Sequence, residues 1–308
     1  LFYAIFGAGA FQNSVIRWCN DHRRHHLKTD SDDDPYSIIR GFFWAHMGWV
    51  MVTDEEAVEN VEDLQADPIL AWQDRHIFKI GAASGILFPA LLGMWFIGGW
   101  GGFLGGMIWG GFLRLVIVHH GTFLINSGAH YWGTQTYSTK DTSRDSPLLS
   151  LFTFGEGYHN FHHTFQADYR NGHKWYHWDP SKWLIRGLSF IKITHTLHKV
   201  PSWSIENARM KTAFEKYEHK NEIDVNFERF RNRFINCSKN LKIALKELSE
   251  KRAEYKAAKK IRKNNRKEAW KSKKVAMKKT IKDCKKSIEE FRLEIRALLK
   301  SPKVPISN

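Results

Sequence analysis

Two apolar segments, residues 77–97 and 103–125, lie in the middle of the chain, separated by a predicted turn of glycine and tryptophan at residues 98–102. Each is about 20 residues long, which is the length a helix needs to cross the ~30 Å hydrocarbon core of a bilayer. Their glycines include Gly93, Gly105, Gly106, Gly110 and Gly111. Small residues of this kind let helices pack closely in lipid. The pattern predicts a transmembrane hairpin, and a buried hairpin of a soluble protein stays open as the alternative.

The predicted hairpin has consequences for the residues on either side of it. Arg114 lies within the second apolar segment, so we expect its charge to face protein or a polar cavity rather than lipid. A chain that crosses a membrane twice returns to the side it left. Residues 17–75 therefore share a side with everything after residue 126.

Charge divides the chain into two parts. Residues 202–308 carry 31 Lys and Arg against 14 Asp and Glu, whereas residues 1–201 carry 16 against 18. Basic flanks of membrane spans stay in the cytoplasm, so we expect both polar regions and the tail to be cytoplasmic. We predict a membrane domain at 1–201, followed by a basic helical tail at 202–308.

The tail carries two seams of apolar residues. The first repeats every seven residues and the second alternates in steps of four and three, as in coiled coils. Their members are Phe227, Phe230, Phe234, Cys237, Leu241, Ala244, Leu248 and Tyr255, then Met277, Ile281, Cys284, Ile288, Phe291, Ile295 and Leu298. The pattern predicts a coiled-coil hairpin or pairing with another chain. The basic block between the seams could contact anionic lipid or an acidic electron donor, and without an RNA-binding motif we expect no nucleic acid partner.

One histidine pattern, HxxHH, occurs twice. It is present as His22-Arg23-Arg24-His25-His26 and as His159-Asn160-Phe161-His162-His163. On a helix, positions i, i+3 and i+4 share one face, so each box presents three imidazoles together. Neutral imidazoles are good ligands for iron, zinc or copper. Six are too many for one tetrahedral site, so the count favours two metals. Two solvated histidine patches are the alternative.

Together with neighbouring motifs, these boxes identify a resemblance that covers about residues 1–200. The motifs are Ala10-Phe11-Gln12-Asn13, Trp18 with Asp21 and the first box, Gly41-Phe42-Phe43 with His46, Gly48 and Trp49, Ala66-Asp67-Pro68, Asn126-Ser127-Gly128-Ala129-His130, and Gly155-Glu156-Gly157-Tyr158 with the second box. In this order and spacing, the chain resembles the membrane fatty acyl desaturases of the stearoyl-CoA (delta-9) type.

The resemblance implies an all-α fold, a multi-span helical membrane domain with a cytosolic cap that holds two iron ions (Fe2+) through nine histidines. Seven of the nine match here: His22, His25, His26, His130, His159, His162 and His163. Asn126 matches an asparagine that contacts one metal through water. The other two ligands belong to an HxxxxH box, and no HxxxxH occurs in the chain. We expect that box roughly ten residues upstream of Leu1, so that the chain is a fragment lacking its first helix.

The implied reaction is the O2-dependent insertion of a cis double bond, at the delta-9 position, into a saturated acyl-CoA. No His-Pro-Gly-Gly motif of a fused cytochrome b5 is present, so electrons would come from an external donor such as cytochrome b5 or ferredoxin. The resemblance assigns six residues to substrate binding: Gln12, Asn13, Trp18, Asp21, Thr122 and Phe123. Phe123 stands where the animal enzymes have Trp.

The acyl carrier is left open by the sequence. Animal members have a basic pair that contacts CoA phosphates, whereas the matching stretch here is Val52-Thr53-Asp54-Glu55-Glu56, which would repel phosphate. An acyl-lipid or an acyl-carrier protein is therefore an alternative substrate. A hydroxylase-type relative, and a metal-binding pseudoenzyme whose tail binds a lipid surface, are the remaining alternatives.

Overall fold

The structure is a computed structural model that describes residues 1–52 and 58–220, and beyond them only single residues and short runs between 227 and 286. The described residues form helices and loops, with two isolated β-bridges and no strand. This confirms the predicted all-α class. Contacts divide the chain into two units, Leu1–Thr212 and Ala213–Asn308. The assignment of 1–201 and 202–308 to separate domains stays a prediction.

Thirteen α-helices are described in these residues, two of them continued by π-helical segments. Their bounds are α1 Phe2–Ala8, α2 Val15–Lys28, α3 Phe42–His46, α4 Glu62–Gln65, α5 Pro68–Ala82, α6 Phe88–Ile97, α7 Gly99–Gly105, α8 Arg114–Asn126, α9 Gly128–Tyr131, α10 Pro147–Phe152, α11 His159–Thr164, α12 Pro180–Phe190 and α13 Ser202–Lys220. The π-helical segments are Ala83–Leu87, between α5 and α6, and Gly106–Leu113, between α7 and α8.

Two continuous helices are long and apolar enough to cross a membrane. They are Pro68–Ile97, with 30 residues, and Gly99–Tyr131, with 33 residues. Only 22% and 11% of their most apolar windows are buried, whereas a core helix of a soluble protein would be mostly buried. Both helices are longer than the apolar segments. The five-residue turn predicted at 98–102 is also wrong, because only Gly98, with φ at 91°, separates the two helices.

Glycines bring the two long helices into backbone contact. A Cβ on Gly93 would collide with the carbonyl oxygen of Gly102, and a Cβ on Gly106 would collide with that of Pro89. The expected close packing is therefore confirmed at Gly93 and Gly106. Gly105 is different, because a Cβ there would meet nothing within 4 Å.

The guanidinium of Arg114 is bonded to backbone rather than exposed to lipid. Its Nε donates to the carbonyl oxygen of Gly110 at 2.9 Å, and its Nη2 donates to those of Gly9 and Gly85 at 2.7 and 3.1 Å. Three carbonyl oxygens replace the water that the cation would otherwise need. The expectation that Arg114 faces protein is confirmed, and this side chain joins the end of α1 to both long helices.

The start of α2 is fixed by α5. Ser14 caps α2 by accepting a hydrogen bond from the backbone N–H of Arg17 at 3.3 Å and also donates to Asp74. The Gln73 amide accepts from the backbone N–H of Val15 at 3.0 Å and donates to the carbonyl oxygen of Ala4 at 3.2 Å. These bonds orient the helix that carries the first histidine box.

Within the second unit, the ring of Phe214 lies edge-on to those of Phe227 and Phe234, with centroids 5.7 and 5.2 Å apart. Most other members of the two predicted coiled-coil seams, including Leu241, Leu248 and Tyr255, lie outside the described residues. The coiled coil stays a prediction.

Candidate metal centre

Three short helical segments bring seven histidines together. His22, His25 and His26 lie on one face of α2, and His159, His162 and His163 lie on one face of α11, as the HxxHH spacing predicts. The seventh, His130, comes from α9 at the end of the second long helix. The two boxes meet face to face, although they are more than 130 positions apart in the sequence.

Four of these histidines form a buried group, which we call the four-histidine group: His25, His130, His159 and His163. One nitrogen of each lies within 4.8 Å of those of the others. Nε2 of His163 lies 3.2 Å from Nε2 of His25 and 3.0 Å from Nε2 of His159. None of the four residues is more than 7% exposed.

The other three, His22, His26 and His162, form a half-buried three-histidine group. Nε2 of His26 lies 3.1 Å from Nε2 of His22 and 3.0 Å from Nε2 of His162. The two groups adjoin each other, because the rings of His26 and His163 have centroids 4.4 Å apart. Each group draws residues from both boxes, a division that the sequence did not predict.

Five imidazoles of the two groups are held in the neutral form. Burial, and then repulsion from neighbouring imidazoles, lowers the pKa of His22 to about 3 and that of His26 to about 2. The same causes lower the pKa of His162 to about 4, and hold the pKa values of His159 and His163 well below the usual range. Neutral imidazoles keep a lone pair for a metal.

The residues present fit a pair of metal ions. Two nitrogens bound to one ion at ~2.1 Å lie roughly 3.0–3.4 Å apart, and the Nε2 separations in both groups are 3.0–3.2 Å. Nε2 of His130 is buried and has no hydrogen-bond partner, as expected of a ligand atom that lacks its ion. An all-nitrogen donor set is compatible with iron.

The carboxylates behind the four-histidine group were not predicted from the sequence. Nδ1 of His25 lies 2.9 and 3.0 Å from the two carboxylate oxygens of Asp34. Nδ1 of His130 lies 2.8 Å from Oγ1 of Thr142, which in turn donates to Asp30 at 2.7 Å. Asp141 approaches Nδ1 of His163 at 3.7 Å. The acidic run that follows the first box was the available signal.

A family profile described as "Fatty acid desaturase" matches residues 1–189. The chain belongs to the fatty acid desaturase family. The predicted family is thereby confirmed, and with it the fold expected of its helical membrane domain.

Curated relatives of this desaturase-family chain have related names. It is 40% identical over 209 residues to "Probable acyl-CoA desaturase" of Schizosaccharomyces pombe, covering 67% of this chain and 43% of the relative. It is 38% identical over 223 residues to "Acyl-CoA desaturase 1" of Saccharomyces cerevisiae, covering 71% and 43%. It is 34% identical over 193 residues to "sn-1 stearoyl-lipid 9-desaturase" of Anabaena variabilis, covering 62% and 67%. The chain thus spans less than half the length of the two yeast relatives.

The substrate residues expected from the desaturase resemblance lie at the junction of α1, α2 and α8. The Gln12 amide donates to Oγ1 of Thr122 at 2.8 Å, so two of them are in direct contact. Trp18 stacks on His22 of the three-histidine group, with ring centroids 4.6 Å apart. Asn13 adopts a left-handed backbone with φ at 71°, and Asp21 accepts a hydrogen bond from Asn20 at 3.1 Å.

Phe123 and Asn126 lie in the second half of α8. Phe123 is buried, and its ring lies 5.6–6.1 Å from the rings of His46, Trp49, His119 and His120. Asn126 is the last residue of α8, four positions before His130. It is therefore near a ligand in the chain, and its contact with a metal through water stays a prediction.

Three further histidines lie outside both groups and make other contacts. Nε2 of His119 lies 2.7 Å from the carbonyl oxygen of Ala10. His46 lies 2.9 Å from Oγ of Ser127 through Nδ1 and 3.0 Å from Nδ1 of His120 through Nε2. These bonds tie α1 and α3 to α8 and give the three side chains a packing role.

Proposed function

We propose that the protein is an O2-dependent fatty acyl-CoA desaturase that introduces a cis double bond, at the delta-9 position, into a saturated acyl chain. The observation that carries the proposal is the pair of adjoining histidine groups, whose nitrogens surround two points at metal-binding separations. Membership of the fatty acid desaturase family supports the same activity. Because the chain spans only part of its relatives, the activity of the whole protein is inferred.

Seven histidines and one asparagine would hold the metals. In this proposal the four-histidine group holds one iron and the three-histidine group holds the other, with Asn126 contacting one of them through water. The other two of the nine histidines that the family resemblance implies belong to an HxxxxH box, which does not occur in this sequence. An iron pair, when bound, would supply the redox chemistry by which O2, two electrons and two protons remove two hydrogens from adjacent unactivated methylenes, giving one double bond and two waters.

The chain's own residues would bind and orient the acyl chain. Gln12 and Thr122, which are hydrogen-bonded at 2.8 Å, would form one side of the kink beside the bond to be oxidised. Trp18 would extend that wall to the metals, since it stacks on His22. Phe123 would supply an apolar surface, and Asn13 and Asp21 would complete the set of substrate-binding residues that the resemblance implies. Water is excluded from the reacting bond by such apolar packing.

Electrons would be supplied by a separate carrier, such as cytochrome b5 or ferredoxin. Both histidine boxes and the basic tail would lie on the cytoplasmic side of a multi-pass membrane protein, where such carriers have access to them. The two exposed apolar helices support membrane insertion, and the positive charge of the tail supports this orientation.

An acyl-lipid is the second candidate substrate. The basic pair that would contact CoA phosphates is replaced here by Asp54, Glu55 and Glu56. These three residues lie outside the described residues. One relative is an sn-1 stearoyl-lipid 9-desaturase by name. A lipid substrate needs no cationic phosphate site of this kind.

Expression of the full-length protein in a host that lacks its own desaturase tests the proposal. We expect a new monounsaturated fatty acid in the gas chromatography–mass spectrometry profile, with the double bond at carbon 9. His159→Ala should abolish it, whereas His195→Ala, an exposed histidine outside both groups, should not. Microsomes given labelled acyl-CoA or labelled phospholipid separate the two substrates. A hydroxylated product identifies the hydroxylase-type relative, and the absence of both product and bound iron contradicts the catalytic proposal.

A further inference from the structure

The hydrogen bonds behind the four-histidine group point to residues that set its donor atoms. We infer that Asp34, and Thr142 together with Asp30, are positioning residues that hold the rings of His25 and His130 in the orientation and tautomer that present Nε2 to a metal. The inference rests on the proposed metal centre and assigns a role that lies outside the nine implied ligands. These residues contact no metal themselves and act through the two imidazoles.

Asp34 fixes the tautomer of His25. The carboxylate is 1% exposed, and both of its oxygens lie within 3.0 Å of Nδ1 of His25. A carboxylate only accepts hydrogen bonds, so Nδ1 carries a hydrogen, and the neutral ring that binds a metal has its lone pair on Nε2. That Nε2 is the atom that lies 3.2 Å from Nε2 of His163. Carboxylates commonly orient metal-binding histidines in this way.

The surroundings of Asp34 contain donors on both sides. The backbone N–H of Asp30 donates to one oxygen at 3.1 Å, and that of Tyr36 donates to the other at 3.2 Å. Together with His25, three donors converge on this carboxylate. An asparagine at position 34 would therefore point its NH2 group, itself a donor, at another donor, whichever way its amide is turned.

Thr142, together with Asp30, fixes the tautomer of His130 in the same way. Its hydroxyl hydrogen is donated to Asp30 at 2.7 Å, so the oxygen can only accept from Nδ1 of His130, which lies 2.8 Å away. The backbone N–H of Thr142 also donates to Asp30, at 2.6 Å. Nε2 of His130, buried and without a hydrogen-bond partner, is left with its lone pair.

Support through hydrogen bonds is present at His25 and His130, whereas Asp141 lies 3.7 Å from Nδ1 of His163, beyond hydrogen-bond distance. Nδ1 of His159 in the four-histidine group, and Nδ1 of His26 in the three-histidine group, are buried without a hydrogen-bond partner. Removal of the carboxylate contacts should therefore weaken one metal site selectively. A general loss of structure would release both metals.

Two pairs of variants of the full-length protein test the inference. Asp34→Asn keeps the shape of the side chain but presents an NH2 group, and Asp33→Asn is its matched control, because Asp33 is exposed and bonds Lys28. Thr142→Val removes the hydroxyl at constant shape, and Thr142→Ser restores it. Each protein is purified in detergent, equilibrated with Fe(II) or Co(II) at increasing chelator strength, and its metal content is measured.

We expect wild type, Asp33→Asn and Thr142→Ser to hold two metals per chain. Asp34→Asn and Thr142→Val should lose one of the two at about 10- to 100-fold lower chelator strength and change the visible absorption of the Co(II)-substituted protein. Wild-type affinity in Asp34→Asn, or simultaneous release of both metals with loss of helical circular dichroism, overturns the inference. If the wild type binds no metal, the proposed function itself fails.

Discussion

Nε2 of His25 lies 3.2 Å from Nε2 of His163, although the two residues are 138 positions apart in the sequence. The contact joins the first histidine box to the second in the buried interior of the protein. Nε2 of His163 also lies 3.0 Å from Nε2 of His159, so this imidazole contacts one donor nitrogen from each box. The four-histidine group is therefore built from residues of separate helices, and its geometry depends on how α2 and α11 pack.

Replacement of His163 by alanine should remove one metal and the desaturase activity. Its Nε2 lies 3.2 Å from Nε2 of His25 and 3.0 Å from Nε2 of His159. The alanine variant therefore lacks one donor nitrogen of the four-histidine group. Since loss of an outer-shell partner alone costs about 10–100-fold, we expect product to fall by more than about 100-fold. Metal analysis and the fatty acid profile measure the two effects. His195→Ala is the control, and an active His163→Ala protein would exclude His163 as a ligand.

Replacement of Glu156 by glutamine should change how stability depends on pH. Burial raises the pKa of Glu156 from 4.5 to about 7, opposed by a hydrogen bond from Asn171 and supported by the charge of Asp179. The folded protein therefore binds a proton that the unfolded chain releases between pH 4.5 and about 7. Wild-type stability is fully present below pH 4.5 and declines as the pH rises through 7.

We expect Glu156→Gln, which stays neutral, to match the wild type near pH 4.5 and to be more stable at pH 8 by about 1–3 kcal/mol. Thermal unfolding in detergent, measured for both proteins across this range, gives the difference directly. Parallel curves for the two proteins would show that Glu156 does not titrate in this window.

Replacement of Arg114 by methionine should destabilise the membrane part. The guanidinium donates to three carbonyl oxygens, and bonds to charged donors contribute about 1.5–3 kcal/mol each in the folded state. We expect a loss of at least about 2 kcal/mol in thermal unfolding. Lys79→Met, at an exposed position, is the control. Equal stability of the two variants would mean that the three bonds contribute little.

Substitution by alanine should affect stability differently at the adjacent residues Gly105 and Gly106. A Cβ on Gly106 would collide with the carbonyl oxygen of Pro89, whereas a Cβ on Gly105 meets open space. We expect Gly106→Ala to destabilise by about 1–3 kcal/mol, and Gly105→Ala to be neutral or to stabilise by up to about 1 kcal/mol. Detergent resistance and thermal unfolding compare them. A tolerated Gly106→Ala would contradict the close packing of the two long helices.

The contact between Gln12 and Thr122 should influence where the acyl chain is oxidised. Thr122→Val removes the oxygen that accepts from the Gln12 amide at 2.8 Å, while Thr122→Ser keeps it. We expect the valine variant to give a mixture of double-bond positions or chain lengths, and the serine variant to retain the wild-type pattern. Mass spectrometry of derivatised products locates the bonds. Identical products from both variants would remove this pair from the substrate site.

Much of the fold and part of the site could be predicted from local patterns. The apolar segments predicted the two long helices, and the HxxHH spacing predicted two faces of three histidines each. Both features depend only on residues within a few helical turns of one another. The ends of the long helices were missed. Gly99 to Gly102 favour a turn by composition, yet in the folded protein they are helical, and Gly102 packs against Gly93.

The sequence by itself determined which side chains can donate to a metal, since the two boxes and His130 are present in the chain whatever its packing. Only the tertiary structure decided their grouping, in which His25 joins His159 and His163 while His26 joins His162. It also decided that Asp34 and Asp30 stand behind the ligands. The physical reason is that contacts over more than a hundred residues depend on how distant helices pack, which no local pattern encodes.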